Sequence, residues 1–412
     1  MNPFLARARS FASSIAPGIF MIGYIIGTGS VTTMATAGAR YGMSLTWALF
    51  LSCVFTGIMM VAISRLTIIS NQTILYNFKT HIHPAASIFI IIALMVTVVS
   101  SIMGVTAIVA SVLQEWSKPL TPDGSGLHPI LTAALMLGVL YTLFWRGTHD
   151  TFIKLLAVMV GFMGVCFLLT MIMVIPDPAE VIRGMVPGIP DTGQPHLVIA
   201  GMVGTTMSGV CLVSRSTIVM EKGWGMDDFS TERRDTTISM ILTFVLSAAI
   251  IASAAGTLHP QGIYIEDAID MVHTLEPLAG RFAISVFVVG IFCAGMSSIF
   301  PNLVMLPWMV SDHMHTARNT KLKIYRILVF LIAASGLTIP IFGGKPVAVM
   351  IASQAVSPLA MPMLTGFLIY LINHPKIMGE KRAGLGMNAA LGLTFVFSLY
   401  MAWIALEGFL GG

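Results

Sequence analysis

Two stretches of glycine and hydroxyl residues interrupt apolar segments that are otherwise long enough to cross a membrane. The first is residues 27–30 (Gly-Thr-Gly-Ser), and the second is residues 204–209 (Gly-Thr-Thr-Met-Ser-Gly). Glycine costs about 1 kcal/mol relative to alanine inside a helix, and an opened turn exposes backbone groups that hydrocarbon cannot hydrogen-bond. Such backbone is tolerated at membrane depth where it lines a protein-enclosed site. Both stretches therefore predict broken helices beside a binding site.

The side chains at these breaks offer only neutral oxygen atoms. The helix N-terminus after each break favours an anionic group, whereas the carbonyls before it favour a cation. Gln354 adds an amide within another apolar segment, although a glutamine there is as often only a hydrogen-bonding group between helices. The candidate substrate-binding residues are Gly27, Thr28, Ser30, Thr205, Thr206, Ser208 and Gln354.

Arg215 is the one charged residue well inside an apolar segment, seven residues after Ser208. One interpretation is that its long side chain reaches the membrane surface near Glu221. The other is that Arg215 serves as a gate residue or as the partner of an anionic cargo. Both interpretations stay open at this point.

Carboxylates and histidines can all be placed in loops or at the ends of spans. Proton relays and divalent-cation sites in transporters usually place such residues within spans. A dehydrated divalent ion would therefore find no compensating negative charge. No serine, cysteine or carboxylate in the spans has the base partner that enzymatic catalysis requires, so we do not expect an enzyme, and no cofactor is indicated.

The composition predicts an all-α polytopic membrane protein, because 56% of the residues are hydrophobic and only 10% are charged, against about 25% charged in soluble domains. We expect one transmembrane transporter domain over residues 1–412, embedded in a lipid bilayer, with no nucleic-acid partner. About eleven spans are predicted by apolar length. They are 15–40, 44–69, 85–114, 129–145, 151–175, 197–220, 236–257, 279–305, 324–342, 346–373 and 388–408.

The two interrupted spans, numbers one and six, occupy matching places in two sets of five. Because five is odd, the two sets would have opposite orientations in the membrane. Broken helices at corresponding positions of such repeats are typical of secondary transporters with a site near the membrane midplane. We therefore predict inverted repeats at about 15–175 and 197–373, with an extra helix at about 388–408. The alternative is that the small residues merely allow close helix packing.

The distribution of basic residues predicts the orientation of the chain. Most of the 22 lysines and arginines fall in loops on the side of the N-terminus. Cytoplasmic loops carry such an excess. We expect a cytoplasmic N-terminus and an outer C-terminus, in a bacterial inner membrane or plasma membrane.

Several short motifs are distributed over nearly the whole chain. They are 16–18 (Ala-Pro-Gly), 22–25 (Ile-Gly-Tyr-Ile), 37–47 (Ala-Gly-Ala-Arg-Tyr-Gly-Met-Ser-Leu-Thr-Trp), 204–206 (Gly-Thr-Thr), 294–298 (Ala-Gly-Met-Ser-Ser) and 353–354 (Ser-Gln) with Pro358 and Pro362. Together they resemble the motifs of the Nramp family of proton-coupled divalent metal transporters. The resemblance implies a LeuT-like fold, with about eleven or twelve spans, that works by alternating access.

The chain departs from the family at the positions where family members have their metal ligands. Gly27 stands where the family has a metal-binding aspartate, and Ser30 where it has an asparagine. Ser208 replaces the metal-binding methionine, and Val210 replaces a histidine. The family's glutamate in span three has no counterpart within residues 96–104. The site is therefore expected to be atypical and uncharged.

Three functions follow as alternatives. The first is a secondary transporter of a metal ion that stays partly hydrated, as Mg²⁺ often does; its coupling to a proton or another ion is open. The second is the same scaffold carrying a small neutral or anionic solute. The third is a membrane sensor that no longer transports. The metal ligands of the first alternative would be the carbonyls and hydroxyls at Gly27, Ser30, Thr205, Ser208 and Gln354. Of these, the resemblance carries over the Thr205 backbone carbonyl and Gln354.

Overall fold

The computed structural model describes residues 26–146, 150–174, 178–191, 193–274, 283–316 and 322–411. These residues are helical or lie in turns and loops, and none of them forms a strand. This agrees with the prediction, because a helix satisfies its own backbone hydrogen bonds inside a bilayer. The helices are α1 Thr28–Tyr41, α2 Thr46–Ser70, α3 Ile74–His81, α4 Pro84–Ser117, α5 Pro129–Arg146, α6 Asp150–Val174, α7 Pro178–Gly184, α8 Pro195–Thr206, α9 Gly209–Lys222, α10 Phe229–Thr257, α11 Ala283–Met314, α12 Lys323–Ser335, α13 Thr338–Phe342, α14 Pro346–Ala355, α15 Ser357–Asn373, α16 Pro375–Met378 and α17 Leu385–Leu410.

Each predicted span contains a helix or a pair of successive helices. Within the described ranges, 9 helical stretches are long and apolar enough to cross a membrane. The first span is described only from residue 26, and α6 contributes the shorter apolar stretch Gly164–Val174. Proline at the first turn of α4, α8 and α14 marks their starts, since proline there loses no intrahelical bond.

Helix α10 begins seven residues earlier than the span predicted at 236–257. Its polar first turns contain Glu232 and Asp235, whose side chains are 0% and 1% exposed. A span predicted from hydropathy stops at charged residues such as these. In the folded chain, however, they belong to the helix and are buried. The boundary therefore depends on partners from elsewhere in the chain.

The interruption in the sixth span is confirmed and is narrower than predicted. Residues 204–206 remain in α8, and only Met207 and Ser208 separate it from α9. Met207 has φ −91° and ψ 57°, and Ser208 is extended with ψ 125°. Because these dihedrals leave the helical region, the chain opens at this point.

The start of α1 also coincides with the predicted interruption. Gly27 is extended, with φ −99° and ψ −174°, and the helix continues from Thr28 through Gly29 and Ser30. The part of the first span that precedes residue 26 lies outside the described residues. The structure therefore shows a helix that begins directly after Gly27.

The bundle places α1 and α8 at its centre. Helix α1 packs against α10, α8 packs against α14 and α17, and α4 packs against α11 and α14. Small residues allow these approaches: a Cβ on Gly38 of α1 would lie 2.3 Å from the carbonyl oxygen of Ile251 in α10. The inverted repeats and the orientation of the termini remain predictions.

Candidate functional site

A small pocket lies where α1 begins and where α8 gives way to α9. Its volume is about 50 Å³, enough for a few water molecules at roughly 10–15 Å³ each. Typical pockets for drug-sized ligands are about 300–1,000 Å³. The cargo of such a pocket is therefore an ion or a very small molecule. The lining residues are Gly27, Gly29, Ser30, Thr97, Val98, Ser101, Val105, Thr205, Ser208, Val210, Ser298, Asn302 and Gln354.

The structure brings five of the predicted site residues together in this pocket and leaves two out. Gly27, Ser30, Thr205, Ser208 and Gln354 all line it. The two that do not are Thr28 and Thr206, whose hydroxyls lie 3.5 Å from the carbonyl oxygen of Ile291 and 3.2 Å from that of Met202, respectively.

The polar groups of the pocket differ in how fully they are bonded. Ser30 is 2% exposed, and its Oγ is buried without a hydrogen-bond partner. Gln354 donates from Nε2 to Ser101 Oγ at 3.4 Å, and Thr205 donates from Oγ1 to the carbonyl of Met202 at 3.0 Å. Buried polar atoms are normally bonded, so the orphaned Ser30 hydroxyl is a natural contact for a bound ligand.

Two further helices, none of whose residues were among the predicted site residues, complete the pocket. Helix α4 supplies Thr97 and Ser101, and α11 supplies Ser298 and Asn302. Each pair is spaced four residues apart, which places both members on one face of a helix. Hydroxyl and amide residues at this spacing in an apolar span are the signal that could have found them.

The pocket is electrostatically neutral in its side chains. None of the described residues that line it carries a charge, and the described part of the chain contains no group of three or more His, Cys, Asp or Glu residues able to hold a metal. The charge that remains is partial: the N-termini of α1 and α9 are positive and the C-terminus of α8 is negative. Neutral oxygens and these helix ends can hold a hydrated cation, a small polar molecule or an anion.

Gly204 sets the position of Gln354 within this site. A Cβ on Gly204 would lie 1.9 Å from the backbone oxygen of Gln354, much closer than real atoms approach. Helices α8 and α14 therefore touch through backbone at this point. Because glycine at position 204 allows α8 and α14 to approach this closely, the side-chain amide of Gln354 can reach the pocket.

Arg215 lies outside the pocket, in a buried ion-pair cluster formed by α9 and α10. It is 1% exposed, so the interpretation that it reaches the membrane surface is wrong. Its NH1 is 2.9 Å from Asp235 Oδ2, its NH2 is 2.9 Å from Glu232 Oε1, and its Nε donates to Ser64 Oγ of α2 at 3.3 Å. The two carboxylates already compensate the positive charge of the guanidinium. This arrangement fits a gate residue better than the partner of an anionic cargo, because a partner would need uncompensated positive charge. Either role remains a prediction.

A second cavity of about 200 Å³ lies between the end of α1, the start of α8 and the start of α14. We call it the vestibule. Its charged lining residues are Arg40, Lys345 and Glu266. Ile351 of α14 also lines it, three residues before Gln354, a rise of about 4.5 Å along the helix. The vestibule thus lies within about one turn of the pocket along α14, and its charged side chains are net positive.

Comparison with known sequences finds similarity over almost the entire chain. A family model described as natural resistance-associated macrophage protein-like (Nramp) matches residues 18–406. The divalent metal cation transporter MntH of Erwinia tasmaniensis is 22% identical, covering 98% of this chain and 95% of that protein. MntH of Brucella suis biovar 1 is 25% identical, covering 97% and 88%.

Solved structures show the same arrangement of helices. The manganese transporter of Eremococcus coleocola, in complex with an aromatic bis-isothiourea substituted compound, superposes with a TM-score of 0.76 at 14% identity, covering 98% of this chain and 88% of that one. A nucleobase-cation-symport-1 family transporter with bromovinylhydantoin bound gives 0.59 at 15% identity, covering 96% and 89%. These matches confirm the predicted LeuT-like fold.

Proposed function

The chain belongs to the Nramp family, and we propose that it carries a metal ion across the membrane by alternating access through the uncharged central pocket. The observation that carries this proposal is the convergence of Gly27, Ser30, Thr205, Ser208 and Gln354 where α1 starts and the sixth span breaks. The relatives' names support the metal: they are divalent metal cation transporters and a manganese transporter.

The absence of an anionic ligand among the lining residues determines the state of the ion that fits. Stripping a divalent ion of water is costly when only neutral oxygens replace it. A pocket of about 50 Å³ holds an ion together with a few waters. We infer that the ion keeps part of its hydration shell and is contacted by hydroxyls, the Gln354 amide and backbone carbonyls. Coupling to a proton or another ion stays open.

The location of the protein follows from the same findings. Described helices that are long and apolar enough to cross a bilayer make it an integral membrane protein. We infer a bacterial inner membrane or plasma membrane, because the curated relatives above are bacterial. The excess of basic residues in loops on the side of the N-terminus supports a cytoplasmic N-terminus and an outer C-terminus.

Substituting leucine for Gln354 tests the pocket directly. We expect kcat/KM for Mn²⁺ uptake into proteoliposomes to fall about tenfold, since one polar contact to the ion would be lost. Ser353→Ala is the matched control, because the Ser353 hydroxyl bonds the Met350 carbonyl of its own helix at 2.7 Å and does not line the pocket. It should stay within about twofold of wild type. Unchanged uptake in Gln354→Leu, or no saturable Mn²⁺ uptake by wild type, would contradict the proposal.

A second candidate is transport of a small neutral or anionic solute, and the vestibule favours it. Two of its three charged lining residues, Arg40 and Lys345, are cationic, and the Nε of Arg40 is buried without an acceptor. Such a lining repels divalent cations and attracts anions. The fold is compatible with organic cargo, because the symporter that shares it holds bromovinylhydantoin.

Neutralising Lys345 separates the two candidates. Lys345→Gln should raise the initial rate of Mn²⁺ uptake roughly two- to fivefold at low salt if a cation passes the vestibule, and the gain should shrink at high salt. If the cargo is an anion, the same variant should slow its uptake. Lys118→Gln is the control, because Lys118 is exposed and pairs with Glu115 away from the vestibule.

A further inference from the structure

A long apolar groove runs along the outside of the bundle between α2, α10 and the start of α17. Its volume is about 620 Å³. It is separate from the central pocket and shares no residue with it. We call it the lateral groove, and its lining residues are Phe50, Cys53, Val54, Gly57, Ile58, Val61, Arg65, Phe229, Arg233, Thr236, Thr237, Met240, Ile241, Phe244, Gly386, Met387 and Ala390.

One end of the lateral groove is apolar. The rings of Phe50 and Phe244 meet edge to face, with centroids 5.7 Å apart. Val54 and Ile241 on its walls are 41% and 56% exposed, as expected of residues that face hydrocarbon. From Phe50 to Arg65 the helix rises about 22 Å, which matches half of a bilayer about 40–45 Å thick including headgroups.

The opposite end of the lateral groove is basic. Arg65 and Arg233 line it, and NH2 of Arg65 donates to the carbonyl of Lys381 at 2.9 Å, which places two more basic residues, Lys381 and Arg382, beside the opening. Neither Arg65 nor Arg233 forms an ion pair within the described part of the chain. The excess of basic loop residues predicts that this end faces the cytoplasm.

Neighbouring carboxylates do not neutralise this end. No acidic side chain is among the described residues that line the lateral groove. Glu232 and Asp235, close to Arg233 in α10, are buried and form ion pairs with Arg215. Glu232 Oε1 also accepts a hydrogen bond from Thr236 Oγ1 at 3.0 Å, so Thr236 stands between this carboxylate and the groove. The basic end is therefore complementary to a negatively charged group.

We propose that the lateral groove binds an anionic phospholipid. The phosphate contacts the guanidinium groups of Arg65 and Arg233, and one acyl chain lies along the apolar walls toward Phe50. Basic pockets between membrane helices on the cytoplasmic side recognise anionic headgroups in this way. A free phosphate would use only the basic end and leave the long apolar part of the lateral groove without a role.

Native mass spectrometry of the full-length protein in detergent tests this site. Phosphatidylglycerol should bind more tightly than phosphatidylcholine with the same acyl chains. Arg233→Gln should weaken phosphatidylglycerol binding roughly fivefold, the order expected for one basic residue near an anionic surface. It should weaken phosphatidylcholine binding less, because the choline cation of that lipid already offsets its phosphate. Lys323→Gln is the matched control, since Lys323 is also exposed near the start of a span but lies outside the lateral groove.

A second variant tests the apolar part without changing charge. Gly57→Leu places a side chain in the lateral groove, where the new Cβ meets only the flexible Met240 at 3.3 Å, and should reduce the occupancy of both lipids while the protein stays monodisperse. Equal affinity for the two lipids in wild type would overturn the proposal. So would displacement of bound lipid by soluble glycerol phosphate, or a dimer that forms through Val54 and excludes lipid.

Discussion

Replacing Arg215 with methionine is expected to destabilise the protein by about 3–5 kcal/mol, because two buried carboxylates would lose their cation. Glu232 and Asp235 each lie 2.9 Å from the guanidinium and are almost completely inaccessible to solvent. Removing one side of a buried ion pair leaves charge without compensation, whereas the intact pair contributes little by itself. Denaturant or thermal unfolding in detergent micelles measures the loss.

The matched variants distinguish lost charge compensation from lost packing. Arg215→Met combined with Glu232→Gln and Asp235→Asn should recover most of the stability, since no uncompensated charge remains. Lys222→Met, at the exposed end of the same helix, should stay within about 0.5 kcal/mol of wild type. Stability of Arg215→Met within 1 kcal/mol of wild type would show that the ion pairs with Arg215 do not stabilise the fold.

The same cluster bears on the role of Arg215 as a gate. Arg215 of α9 connects to α10 through the two carboxylates and to α2 through Ser64. The helix segment after the break is therefore attached to two others in this conformation. If α9 moves during transport, these bonds must break or move with it, so the triple variant should change the transport rate even where it restores stability.

Gly204→Ala is expected to abolish uptake and to cost about 1–3 kcal/mol of stability, the range for forcing extra atoms into a packed interior. The added Cβ would lie 1.9 Å from the backbone oxygen of Gln354. Backbone cannot turn aside as a flexible side chain can, so α8 and α14 must separate. Because Gln354 lines the pocket from α14 and Thr205 from α8, their separation would enlarge the pocket and misplace both.

A glycine elsewhere provides the control for this substitution. Gly138 lies inside α5, and a Cβ there would meet nothing within 4 Å. Gly138→Ala should be neutral or slightly stabilising, since alanine favours the helix by about 1 kcal/mol. Uptake measured in proteoliposomes and unfolding measured in detergent should both distinguish the two alanine variants. Normal uptake by Gly204→Ala would mean that the backbone contact does not position the pocket.

The hydrophobicity of each segment and the residue types at its interruptions were enough to predict much of the fold. The apolar lengths predicted the spans, and glycine with hydroxyl residues at 27–30 and 204–209 predicted where helices start or break. Five of the seven proposed site residues meet in one pocket for that reason. Thr28 and Thr206 were included because they are adjacent in sequence, but their side chains are directed toward carbonyls of Ile291 and Met202.

The partners of Arg215 show where sequence reasoning failed. The residue was recognised as a charge inside a span, but its carboxylates come from the first turns of α10, which hydropathy assigned to a loop. Burial of Glu232 and Asp235 becomes favourable only once a cation is placed beside them. No property of their own segment indicates that cation.

Residue types and spacing were enough to predict an α-helical membrane protein, the places where its helices open, and the lack of charge at those openings. The folded bundle was needed to show that Thr97, Ser101, Ser298 and Asn302 complete the pocket, and that Arg65 and Arg233 line the same groove. The physical reason is that helices apolar on all sides carry no pattern that distinguishes the face toward lipid from the face toward a neighbour. Their rotation is set by close packing and interhelical hydrogen bonds, which exist only when the whole bundle is assembled.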